Sequence, residues 1–124
     1  VSTEPHTITL ATADHGPVTL PEPTWCRGHH DHRPDVYRCD LTHYGTETVL
    51  TFEGAEVFRV MVSESPYATR PEDRAVCGYV EARGYTGALN AVQLYGLAAA
   101  LDGHADRLRD LADQVDTITA GGTE

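Results

Sequence analysis

Between Cys26 and His43, a window of 18 residues holds two of the three cysteines and four of the seven histidines, in the order Cys26-x3-His30-x8-Cys39-x3-His43. Soft thiolate and imidazole donors, gathered twice at the same short spacing, are what a tetrahedral zinc ion requires. Two sulfurs and two nitrogens make a closed four-coordinate set, the arrangement of a structural zinc site; a catalytic zinc keeps a position open for water. The window is rich in Pro, Gly, Asp and His and lacks apolar periodicity, so it is expected to be a loop or knuckle. Such a segment cannot bury enough apolar surface to order itself, whereas structural zinc contributes on the order of 10 kcal/mol or more. The expectation is one structural zinc per chain, held by Cys26, His30, Cys39 and His43. His29 competes with His30, since Cys-x2-His is also a usable spacing, and His32 is a spare donor. Trp25, just before the first cysteine, is expected either to lid the knuckle where it meets a sheet or to join the general core.

The rest of the chain reads as α+β: a small antiparallel sheet packed against a long carboxy-terminal helix, or a helix pair, with the zinc knuckle at one edge. A chain of 124 residues fits one domain over residues 1–120. Residues 1–24 carry two short apolar pieces, Ile8 to Leu10 and Val18 to Leu20, around the turn-like Asp14-His15-Gly16, and read as strands or an extended arm. The metal loop spans 25–45 and antiparallel strands span 46–84. Within the latter, Glu47 to Phe52 and Ala55 to Val62 meet at Glu53-Gly54 as a hairpin. Phe58, Val60 and Val62 fall on one face by the period of two, opposite Arg59, and should meet the core. Residues 64 to 75 are turn-rich, and Val76 to Ala82 resumes as a strand.

Thr86 then offers a cap for a helical region over 86–119. Leu94, Leu97, Leu101, His104, Leu108, Leu111, Val115 and Ile118 step by threes and fours. The stripe packs on the chain's own sheet or forms a homodimer seam, the latter suggested by a spacing near 3.5. Asp102-Gly103 in its middle leaves room for two helices folding back, since an interior Gly costs about 1 kcal/mol relative to Ala. Residues 121–124 are expected to be a disordered tail.

Charge narrows the function classes. There are 9 basic against 19 acidic residues, a net of -10, and no lysine. That removes Schiff-base and lysine-base catalysis from this chain and disfavours phosphate backbones and anionic lipid as partners. No apolar run approaches the roughly 20 residues of a membrane span, and no basic-apolar secretory leader opens the chain. With an odd cysteine count set beside histidines, a reducing cytoplasmic setting is expected. Neither a helical His-Glu-x-x-His nor a deaminase-type Pro-Cys-x-x-Cys occurs, so the reading leans away from an enzyme. Cys77, inside a strand pattern, is expected to act as a small apolar residue. The functional expectation is a zinc-stabilised protein-interaction or regulatory module, homodimeric or bound to another protein; the alternative is a hydrolase-like metal enzyme using the same Cys/His site, for which Glu22, Asp31, Asp35 and Asp40 offer bases.

Pro23-Thr24-Trp25-Cys26-Arg27-Gly28-His29-His30, followed by His43-Tyr44-Gly45, a β-rich middle and a Leu/Ala-rich closing helix, resembles a family of small uncharacterised proteins from high-GC bacteria, a domain of unknown function. Its signature is Cys-Pro-x-Trp-Cys, then His, a variable gap and a second His. The resemblance implies the same fold and metal site and names no reaction. Trp25, Cys26, His30 and His43 match the signature, and its first cysteine falls on Glu22. Either Cys39 supplies the missing sulfur or Glu22 ligates through oxygen.

Overall fold

The computed structural model describes residues 6–121, so residues 1–5 of the expected arm and 122–124 of the expected tail lie outside the described residues. Strands β1 (Thr7–Thr12) and β2 (Gly16–Pro21) form an antiparallel hairpin. Its turn is tied by Thr12, whose hydroxyl donates to the Gly16 carbonyl at 2.8 Å and accepts the His15 N–H at 3.0 Å. Gly16 takes φ +61°, a conformation an L side chain would resist. Alternation puts Ile8 and Leu10 on the same face as Val18 and Leu20, and that face closes over Leu41, Val36 and Tyr67 as a small core.

Residues 22–42 carry one 3₁₀ turn, Arg38–Asp40, and otherwise run as loop, as the Pro/Gly/Asp/His composition implies. The second sheet follows: β3 (His43–Tyr44), β4 (Thr48–Phe52), β5 (Ala55–Glu64) and β6 (Cys77–Ala82), all antiparallel. The β4–β5 turn has Glu53 at φ +52° and Gly54 at φ +77°, the two left-handed residues of a tight hairpin whose twist suits the strands. β5 lies in the centre, with β4 and β3 end to end along one edge and β6 along the other. It is buried on both faces: Val60 and Val62 on one, Met61 and Ser63 on the other.

Helix α1 (Ala91–Gly121) crosses the Phe58–Val60 face and touches β4, β5 and β6. Its cap is Asn90, four residues beyond Thr86. The Asn90 side chain accepts the Gln93 N–H at 2.9 Å while the Gln93 side chain accepts the Asn90 N–H at 3.0 Å, a reciprocal pair that satisfies two otherwise orphaned donors. The helix runs unbroken through Asp102-Gly103, because one interior glycine's cost is small against thirty flanking helical residues. Leu97, Leu111, Val115 and Ile118 are half-buried toward the sheet, and His104 is the single fully buried residue of the helix. Gly78 of β6 permits this approach, since a Cβ there would lie 3.3 Å from Leu111. Among the described residues no helix is long and apolar enough to cross a membrane.

Candidate metal centre

Glu22 follows directly on β2, Cys26 and His29 lie in the loop, and His43 opens β3, so three separate pieces of chain meet at one point. Two backbone hydrogen bonds bring the loop to the second sheet: the Arg27 N–H donates to the Tyr44 carbonyl at 2.8 Å, and the Gly45 N–H to the Val62 carbonyl at 2.8 Å. The Arg27 side chain adds an ion pair with Glu47 at 2.8 Å and lies over the Tyr44 ring. Trp25 sits edge-on to His43, ring centroids 6.3 Å apart, against Gly45. A Cβ at Gly45 would come within 3.4 Å of both the Trp25 carbonyl and Val62, so this glycine lets the loop close on the sheet.

One donor atom from each of Glu22, Cys26, His29 and His43 lies within 4.8 Å of every other. Glu22 Oε1 is 3.0 Å from His29 Nε2 and 2.9 Å from His43 Nδ1, and Cys26 Sγ is 3.5 Å from His29 Nε2. Metal–ligand bonds of about 2.0–2.3 Å at tetrahedral angles give donor–donor edges of about 3.3–3.6 Å, which the Cys26–His29 separation matches while the two Glu22 contacts are shorter, at hydrogen-bond length. His29 Nε2 faces a carboxylate oxygen and a sulfur together, yet one ring N–H can point at only one of them. His43, fully buried, makes its 2.9 Å approach to Glu22 through Nδ1 outside strict hydrogen-bond alignment. A buried polar atom left in that state is costly, and a cation accepting its lone pair removes the cost.

Burial pushes the Cys26 thiol above its usual value, with the Glu22 carboxylate adding in the same direction, and burial holds His43 below the ordinary imidazole value. Without an ion the set therefore favours neutral thiol and neutral imidazole. A divalent cation reverses the first preference by stabilising thiolate and uses the second directly. The chain's donors thus fit a metal ion.

Of the residues singled out by spacing, the structure gathers Cys26 and His43 with His29 and Glu22, and it places His30 and Cys39 outside that group. The physical reason is strand alternation. His43 pairs with Glu64 and shares a face with Val62, whereas Cys39 lines a cleft with Ser63, Cys77 and Tyr79, which project from the opposite face. The 3₁₀ turn holding Cys39 is pinned by the Arg38 N–H donating to Asp14 at 2.9 Å and by the Arg38 guanidinium over Tyr67. His30 is carried outward past Gly28, whose φ is +102°, and His32 donates to the Ala11 carbonyl at 2.8 Å, tying the loop to β1. Cys77 is exposed on β6, its sulfur 3.3 Å from the Ser63 hydroxyl, rather than packed as an apolar residue. Local spacing carries no signal for Glu22; only the place of the absent signature cysteine pointed to it.

A cleft of about 480 Å³ opens beside the centre, lined by Arg27, His30, His32, Arg33 and Tyr44 among others, and of the four donors only His29 reaches it. Side-chain exposure is 1% for His43, 10% for His29 and 11% for Glu22, so an ion among them is enclosed by protein.

No curated protein and no solved structure matches this chain. Residues 7–117, from the first strand through most of the helix, match a family described as Domain of unknown function (DUF6907), and the chain belongs to that family.

Proposed function

We propose that the chain is a cytoplasmic, zinc-stapled protein-interaction module, in which Glu22, Cys26, His29 and His43 hold one structural zinc ion. The observation that carries the reading is the convergence of four donors from the end of β2, the loop and β3. An ion there would rivet the β1–β2 hairpin to the second sheet. The need is physical: among the described residues the buried apolar set is eight, most of it in the hairpin core and the β5 region, which is a small core for a chain of this size. One thiolate, two imidazoles and a carboxylate are borderline-soft donors that suit zinc better than calcium or magnesium. Glu22 then stands where the resembling signature has its first cysteine.

A hydrolase-like use of the metal would need a coordination position facing a substrate cleft. The neighbouring cleft meets the centre through His29 alone, which supports a staple over a catalyst. The interaction role draws support from the poorly covered helix, whose Leu94, Leu101 and Leu108 are exposed.

Elemental analysis with thermal melting tests the reading. Purified protein should carry about one zinc per chain; Cys26→Ala and His43→Ala should lose it and melt lower, while Cys39→Ser and His30→Ala should keep it. Wild-type protein without metal, or metal retained by Cys26→Ala and lost with Cys39→Ser, would overturn it.

A further inference from the structure

β6 pairs with β5 along one edge, and among the described residues no strand pairs with its other edge. An open strand edge presents N–H and C=O groups that can template another strand. Natural edges are blunted by charged side chains, proline or short length; this one has six residues, Cys77–Ala82, with no proline and a single charge, Glu81, which is paired with Arg83 at 2.8 Å. Beside it runs the shoulder of α1. Leu94, Leu101 and Leu108, one heptad apart, are exposed by 54%, 41% and 39%, and Val80 of β6 by 56%. A groove of about 310 Å³ joins the two elements, lined by Gly78, Leu108, Leu111, Ala112, Val115 and Asp116. The glycine removes a side chain from the strand side of that groove.

Charge decides what fits. By helical geometry Asp116, Asp102 and Asp113 follow the leucine shoulder around α1, on the side away from the sheet. The helix carries five aspartates, at 102, 106, 110, 113 and 116, against Arg107 and Arg109. Among the described residues only Asp106 of the five is in an ion pair, with Arg109 at 3.0 Å. A second copy of this chain paired antiparallel through β6 would bring together two chains that each bear a net charge of -10, with Asp116 of each at the groove. Like charges across an interface oppose association, and a cationic partner gains where a twin loses.

We infer that the outer edge of β6 and the α1 shoulder dock an extended basic segment of a partner protein by strand addition. This rests on the reading of the domain as a protein-binding module. The added strand takes main-chain hydrogen bonds from β6, sets alternate apolar side chains over Leu108 and Ala112, and presents arginine or lysine to Asp116, the acidic residue that lines the groove.

The test uses the metal-loaded protein and a random 12-residue peptide display library. Enriched peptides should alternate apolar with basic residues. By fluorescence anisotropy they should weaken at least tenfold on Ala112→Asp or Leu108→Ser, and weaken again between 50 and 300 mM salt. Both positions are exposed, and circular dichroism with zinc content verifies that the variants fold. Three results would overturn the inference while leaving the binding-module reading standing: enriched peptides without basic residues, peptides that bind Ala112→Asp as well as wild type, or sedimentation showing a dimer that Ala112→Asp converts to monomer. Failure to enrich any peptide would count against both.

Discussion

Replacing His104 by leucine should make the protein more stable, and increasingly so as the medium turns acidic. The His104 ring is 2% exposed, lies parallel to Phe58 at 5.9 Å between centroids, and has no hydrogen-bond partner on either nitrogen among the described residues. A neutral imidazole carries one donor and one acceptor, and a buried unsatisfied polar group costs about 1–3 kcal/mol. Leucine removes both and fills similar volume. Loss of the ring stack gives back about 0.5–1.5 kcal/mol, leaving a net gain of about 1 kcal/mol near neutral pH. For a domain of this size that raises Tm by about 4 °C.

The acid dependence has a definite sign. Burial, with Arg107 one turn along acting in the same direction, holds the folded His104 below the usual 6.5. The unfolded chain therefore binds more protons once the pH falls through about 6.5, and the wild type loses stability from there down to the folded value. Above 6.5 that contribution is fully present. The other titratable groups are common to wild type and variant and cancel in their difference. Paired scanning calorimetry at pH 7.5 and 5.5 should show the Tm gap widening at the lower pH. A variant that melts below wild type at both values, or a gap that does not widen, would refute the reasoning.

Chelation should lower Tm by well over 5 °C in the wild type and leave Cys26→Ala unmoved, read by melting with and without excess chelator. Glu22→Cys should bind zinc more tightly than wild type and Glu22→Ala more weakly, as competition with a chromophoric chelator would measure, since thiolate is the softer donor. Gly54→Ala should cost about 1 kcal/mol in urea unfolding, because its φ of +77° resists a Cβ while the space around it is open. Leu20→Ala should cost 2 kcal/mol or more (roughly 2–5) by the same assay, as it empties the centre of the hairpin core.

Most of the architecture could be read from the residues because the relevant rules are local. Glu53-Gly54 between two alternating arms demands a tight hairpin, and the three-four stepping from Leu94 onward demands a helix, both of which the structure contains. Spacing pointed to only part of the donor cluster, because its geometry is not local. Whether Cys39 and His43 share a face depends on where the chain enters β3, and which of His29 and His30 turns inward depends on the φ of Gly28. Both are set by tertiary contacts that no four-residue spacing encodes. His104 sits in the leucine series as the pattern had it, but its orphaned nitrogens emerge only from what surrounds it.

β5 is the one strand that hydrogen-bonds to β3, β4 and β6 alike, and none of those three pairs with another member of the sheet. Each outer strand can therefore detach alone, while release of the middle of β5 requires the whole sheet to open. The Val60 amide, which faces β4 beneath α1, should exchange with deuterated solvent later than the Met61 amide, which faces β6 and is freed when that outer strand detaches.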